Sequence, residues 1–451
     1  MAISLAGGWI AGAASAVEGG PDAAAPTGSS TGTSTGAATD TATKPLRVFV
    51  LAGQSNMQGH AHARTMDAMA LDPATSAWLD RMRQADGTPR VRDDVWISSI
   101  GSADTVQSGP LTVGFGASRG GPKIGPELSF GIAVGDHFDE PVLLIKTAWG
   151  GKSLHTDFRP PSAARDGGAG ADGAGADGAR GTDGADDAGS EIDPDAPEAP
   201  KGAGDIPRDA GPSYRLMVDH IRSVLDDIPN VVPGYDPDVG YELSGFVWFQ
   251  GWNDMVDRNA YPDRASPGGY DRYRDLLAAL IRDVRRDLDC PELPFVIGVM
   301  GVGGPIEQYP ASQRRYAPVH RNFRHAMAAP ADMPEFAGRV VAVLTETCWD
   351  MEVSALQERA GGIQERVDTI RQAMKDGTME RSEGEAALDQ LDRETFSERE
   401  RVLLRTSTSN AAFHYLGSAR IMSRIGAAFA DAMLTVTDED HVPTPTERIR
   451  P

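Results

Sequence analysis

Five short apolar runs punctuate the chain, each closed by turn residues: Leu46 to Leu51, Val142 to Thr147, Phe246 to Phe249, Phe295 to Met300 and Val340 to Leu344. They are rich in β-branched and aromatic residues, and their apolarity is nearly continuous rather than alternating. That is the pattern of strands covered on both faces by helices. Apolar residues recur at helical spacing over Glu127 to Phe138, Tyr214 to Leu225, Tyr270 to Leu288 and, after the last strand, Gly417 to Met433. Strands alternating with helices predict an α/β protein with a parallel, doubly wound sheet. Residues 354–401 stand apart: dense in Glu, Arg, Gln, Ala and Leu, with a turn at Asp376-Gly377, they read as a charged helical hairpin.

Two tracts show no periodicity. Val17 to Lys44 consists almost wholly of Ala, Gly, Ser, Thr and Asp, and Ser162 to Asp209 repeats Gly-Ala-Asp before turning Pro-rich. Such segments bury too little apolar surface to offset the entropy of ordering. They are expected to be a disordered linker (17–44) and a disordered acidic insertion (162–209) in one domain spanning 45–436, with a flexible tail over 437–451.

The 51 Gly, 31 Pro and net charge of −22 agree with a chain of which a good part packs no core. The acidic balance would be repelled by phosphate backbones, so no nucleic-acid partner is expected. Met1 to Ala16 is uncharged and ends in Ala14-Ser15-Ala16, which reads as a signal peptide and predicts a secreted or periplasmic protein. No run is long and apolar enough to be expected to cross a membrane. Cys290 and Cys348 allow one disulfide or two reduced core cysteines. No cofactor or metal is predicted, and nothing in the sequence sets an oligomeric state.

The segment Leu51-Ala52-Gly53-Gln54-Ser55-Asn56-Met57 directly follows the first strand. Open α/β sheets place their ligands at the carboxyl ends of strands. Two readings fit Ser55: a cap for the helix that begins there, or a hydroxyl whose neighbouring N–H groups favour a developing oxyanion.

Gly53-Gln54-Ser55-Asn56-Met57 resembles the first block of the SGNH hydrolases, in the branch of sialate O-acetylesterases and family 6 carbohydrate esterases such as acetylxylan esterases. Ile124-Gly125-Pro126-Glu127-Leu128-Ser129-Phe130 and Lys146-Thr147-Ala148-Trp149-Gly150-Gly151-Lys152-Ser153-Leu154 resemble the same branch. So do Trp248-Phe249-Gln250-Gly251-Trp252-Asn253-Asp254 and Asn410-Ala411-Ala412-Phe413-His414-Tyr415-Leu416-Gly417, in the family's order. The resemblance runs from about Leu46 to Met433, without the Gly-Ala-Asp tracts or the charged hairpin. It implies a three-layer α/β/α sandwich, flavodoxin-like, with a five-stranded parallel sheet.

The resemblance also implies roles. Ser55 would be the nucleophile, with His414 as the base that a weakly nucleophilic hydroxyl requires. The oxyanion would be held by the Ser55 N–H, by the N–H of Gly150 or Gly151, and by a side-chain amide from Asn253 or Gln250. Gln54 and Glu127 complete the substrate-binding set. The acid is open: family members often carry an aspartate three residues before the histidine, where this chain has Ala411, and a glutamate two after the Gln, where it has Trp252. Asp254 is the first choice, with Glu127, Asp350 or a Ser-His dyad as alternatives. His60 and His62 are read as residues of the cleft rim rather than metal ligands. The function implied is hydrolysis of O-acetyl esters on carbohydrates, the substrate being an acetylated sugar of sialate or xylan type. The alternatives are an esterase for a non-carbohydrate ester and a non-catalytic carbohydrate-binding homologue.

Overall fold

The computed structural model describes residues 44–163 and 206–437. The expected signal peptide, residues 17–43 of the linker, residues 164–205 of the insertion and residues 438–451 of the tail lie outside the described residues.

The strands are β1 (Leu46–Gly53), β2 (Ala61–His62), β3 (Val95–Gly101), β4 (Gln107–Pro110), β5 (Lys123–Ile124), β6 (Val142–Ala148), β7 (Tyr241–Phe249), β8 (Phe295–Val299) and β9 (Val340–Leu344). Seven form one sheet in the order β4-β3-β6-β1-β7-β8-β9, and β2 pairs with β5 separately. The sheet is therefore seven-stranded, not five-stranded as expected. All five predicted runs lie in it as parallel neighbours; β3 joins them in parallel, and β4 closes one edge antiparallel to β3.

Chemistry explains why the two extra strands differ from the rest. β3 carries Ser98 at a buried position, where its hydroxyl meets His220 Nε2 at 3.4 Å and accepts from Ser108 of β4 at 3.0 Å. Polar positions satisfied in this way break an apolar run without breaking the strand. β4 reads Gln-Ser-Gly-Pro, and proline is tolerated at an edge because it has no ladder donor to lose.

The helices are α1 (Ser55–Gln58), α2 (Pro73–Met82), α3 (Glu127–His137), α4 (Pro212–Asp226), α5 (Trp252–Val256), α6 (Asp271–Asp287), α7 (Ala317–Ala328), α8 (Met351–Gly362), α9 (Gln364–Lys375), α10 (Arg381–Thr395), α11 (Glu398–Thr406) and α12 (Ala419–Thr437). On one face, α12 lies across β7, β8 and β9. Phe249 of β7 meets its Phe429 with ring centroids 5.2 Å apart, and Gly245 lies under Met433. Side chains next in register, such as Trp248, point to the other face and meet Phe158. The charged stretch is four helices rather than one hairpin. α9 and α10 make the hairpin around Asp376-Gly377. α8 and α11 instead rest on the body through a small apolar cluster of Ala68, Leu356, Phe396 and Leu403. Cys290 and Cys348 are both free thiols.

α3 and α12 approach closely at one point. A methyl group on Gly426 would stand 2.1 Å from Ser129 Oγ and 2.2 Å from the Pro126 carbonyl oxygen. Alanine gains about 1 kcal/mol over glycine as a helix former, but a backbone carbonyl cannot rotate out of the way. Gly426→Ala is therefore expected to lower stability by a net ~1–3 kcal/mol, read as a lower urea midpoint; an unchanged midpoint would mean that the two helices part without penalty.

Candidate active site

β1 ends at Gly53, where a side chain is impossible: a Cβ there would lie 2.2 Å from the Phe249 carbonyl oxygen of β7. The chain then turns into α1, one turn long, beginning at Ser55, which is 6% exposed. As the first helical residue, Ser55 has no intrahelical acceptor for its own N–H. The far end of α1 is fixed from below. Lys146 of β6 donates to the Gln58 carbonyl at 2.8 Å, the Phe115 carbonyl at 2.9 Å and Glu127 Oε2 at 2.8 Å. Glu127 Oε1 accepts from the Gly125 N–H at 2.9 Å. Lys146 is 1% exposed and Glu127 fully buried. Burial pulls the ammonium below its ordinary value, and the Glu127 carboxylate opposes that.

The amide side chains are oriented by backbone donors. The Gly251 N–H can only donate, so the Gln54 atom that meets it at 2.8 Å is the oxygen. Gln54 must then turn its NH2 toward Asn253, whose oxygen accepts at 3.0 Å. This leaves the Asn253 NH2 without a protein acceptor among the described residues. Gln250, the alternative donor, is committed elsewhere: its NH2 donates to the Lys152 carbonyl and to Asp254, and its oxygen accepts from Tyr273.

Of the two candidate glycines, Gly150 stands beside Ser55; a methyl group on it would lie 3.9 Å from the Ser55 Cβ. Its N–H donates to Ser102 Oγ at 2.9 Å, and that hydroxyl also contacts Gln58 Oε1 at 3.3 Å. Gly151 at φ +74° serves as the turn residue that follows.

His414 sits in a turn, 412–417, that packs against α1. The two residues after it, Tyr415 and Leu416, adopt left-handed φ of 51° and 61°. Such backbone persists only where its surroundings over-determine it. Here the Tyr415 hydroxyl accepts from the Gly301 N–H and shares a bond with Thr345, while the Leu416 carbonyl accepts from Ser409 and Asn410. The imidazole is held by Asn410. Asn410 Oδ1 accepts from the Ala411 N–H at 2.7 Å, which identifies it as the oxygen, and His414 Nδ1 lies 3.1 Å from it. Nδ1 therefore carries the proton and Nε2 the lone pair. The ring of His60, just beyond α1, stacks on His414 at 4.0 Å and 3° between planes.

The structure does not bring the expected acids to this imidazole. Asp254 is buried among five donors: the Leu154 and His155 N–H groups, His155 Nδ1, Gln250 and Tyr261. Glu127 is paired with Lys146. Asp350 caps α8 and faces Arg420 at 3.2 Å. Each carboxylate is consumed in holding a loop. His62, too, serves structure, as its Nδ1 accepts from the Arg64 N–H.

Sequence reasoning missed Ser102, the stacking role of His60 and the orienting role of Asn410. Lys146 carries a signal of its own, since a lone lysine inside an apolar strand points to a buried counter-charge.

The mostly parallel α/β sheet and the family it matches define a class, the esterases. Within it, the chain belongs to the family of sialic acid-specific acetylesterases, carbohydrate esterases, which it matches over residues 45–165 and 201–333. That span includes Ser55, Gly150 and Asn253 and stops short of His414. No curated protein matches the chain. Similar solved structures include a protein from Arabidopsis thaliana, 16% identical with a TM-score of 0.35 over 67% of this chain and 86% of that one. A carbohydrate acetylesterase from Xanthomonas citri is 12% identical, TM-score 0.32, over 66% of this chain and 49% of that one. NanS is 12% identical, TM-score 0.34, over 67% and 78%.

Burial holds four imidazoles neutral, His60, His220 and His320 at about 4 and His414 at about 3, against an ordinary 6.5. Below pH 6.5 the unfolded chain takes up protons that the folded chain refuses, so acidification favours unfolding. The contribution is complete above that pH and declines toward the folded values. The Tm is expected to fall steadily from pH 7 to pH 5 at constant ionic strength; a flat profile would mean that these rings protonate in place.

Proposed function

We propose that this protein removes acetyl groups from carbohydrates of sialate or xylan type through an acetyl-enzyme on Ser55. His414 Nε2 takes the hydroxyl proton as Ser55 Oγ attacks the acetyl carbonyl carbon. The oxyanion is met by the N–H groups of Ser55 and Gly150 and by the Asn253 NH2, with Ser102 yielding the Gly150 donor as it forms. Collapse expels the sugar oxygen, which takes the proton back from the imidazolium. Water, deprotonated by the same nitrogen, then releases acetate and restores Ser55.

The observation that carries this reading is the pair of bonds at Asn410. A backbone N–H fixes the amide oxygen, the oxygen fixes the imidazole tautomer, and the tautomer leaves an unprotonated nitrogen on a turn packed against the serine helix. A neutral amide thus does the orienting work usually given to a carboxylate. Family membership favours a carbohydrate ester over a lipid or aryl ester. The uncharged start of the chain, ending in Ala14-Ser15-Ala16, fits an exported enzyme acting on extracellular glycans.

Ser55→Ala is expected to lower kcat/KM on 4-nitrophenyl acetate by roughly 10⁴-fold or more, and Asn253→Ala by about 10²–10³-fold, mostly in kcat. Full activity in Ser55→Ala would overturn the reading. Asn410→Asp tests the orienting group separately. A carboxylate at that position favours the imidazolium, so the acid limb of the pH profile should move up by about 1–3 pH units; an unmoved limb would mean that His414 is not the titrating base.

A further inference from the structure

Phe413 is out of place by the logic of burial, and Trp252 packs on the core without being covered by it. Phe413 is 40% exposed, although it immediately precedes His414, and its ring contacts that imidazole edge-on at 4.4 Å between centroids. Trp252 opens α5, next to Asn253, and is also partly exposed. The two rings, from blocks more than a hundred residues apart, lie 5.7 Å apart with 35° between planes. Val256, one turn further along α5 on the same side, is 43% exposed. The result is a short uncharged aromatic wall between the residue that would hold the oxyanion and the one that would move the proton.

Resting on the proposed activity, we propose that Trp252 and Phe413 form a stacking platform for the C–H face of a pyranose ring, positioning the sugar whose acetyl group reaches Ser55. A pyranose presents one face of C–H bonds, slightly positive, to which the negative face of an aromatic ring is complementary. Its hydroxyl edges stay in water or bind polar groups, which suits a wall exposed on one side. The patch is far smaller than the ~800 Å² per partner of a stable protein interface, and the chain belongs to a family of carbohydrate esterases. A sugar is the occupant that both facts favour. The platform would select for the ring that carries the ester rather than for the ester itself.

The test is binding by the full chain in a Ser55→Ala background, which stops turnover, with methyl tri-O-acetyl-β-xyloside as the probe in calorimetry. Trp252→Ala and Phe413→Leu are each expected to weaken the Kd by about tenfold, equivalent to about 1.4 kcal/mol. Trp252→Phe, which keeps a ring, should stay within about threefold of the parent and guards against simple misfolding of Trp252→Ala. A Kd unchanged in both Trp252→Ala and Phe413→Leu, or no binding by the parent, overturns the platform. Full esterase activity in Ser55→Ala would instead overturn the catalytic reading, and the Kd comparison would still decide the platform.

Discussion

The fully enclosed Lys146–Glu127 pair is the constraint on which the placing of the serine helix depends. Removing two charges from water is costly, and attraction repays it only when every donor and acceptor is used. Here the ammonium spends its three donors on Glu127, Gln58 and Phe115, and the carboxylate reaches back to the Gly125 N–H. The pair thereby ties β6, the start of α3 and the end of the serine helix into one unit. Without Glu127, a buried cation would pull on the same carbonyls uncompensated, and α1 would lose its registration against β6. The pair holds the end of α1 against β6, the strand that runs on toward Gly150.

A second theme is that backbone N–H groups set the polarity of side chains that have no fixed sense of their own. Gly251 orients Gln54, and Gln54 orients Asn253; Ala411 orients Asn410, and Asn410 orients His414. Each chain starts from a donor that cannot reverse; one leaves the Asn253 NH2 free of a protein acceptor among the described residues and the other leaves His414 Nε2 unprotonated. This is preorganisation by hydrogen-bond direction, with no requirement for a charged group.

Most of the sheet was legible because five of its strands are apolar runs flanked by turns, and helices at 3.6-residue spacing separate them. β3 escaped because its buried Ser98 is paid for by partners on β4 and α4, which no local pattern reveals. Ser55, His414, Gly150 and Asn253, the residues proposed for the chemistry, were nominated by motif order alone. Asp254 was misjudged: its place in a block suggested catalysis, yet its carboxylate is drawn to the N–H groups of Leu154 and His155, a hundred residues away in sequence. Asn410 was passed over because a search for charge does not register a neutral oxygen. Trp252, noticed only as a missing glutamate, proved to be half of an aromatic pair.

The chain on either side of residues 164–205 returns to a single closed seam. The Gly211 N–H bonds the Arg159 carbonyl at 2.9 Å, and the Ser162 N–H bonds Asp283 at 2.7 Å. With entry and exit stitched together, the entropy of closing the stretch between them would grow only logarithmically with its length. A change of length between residues 163 and 206 would therefore meet the described fold first at that seam.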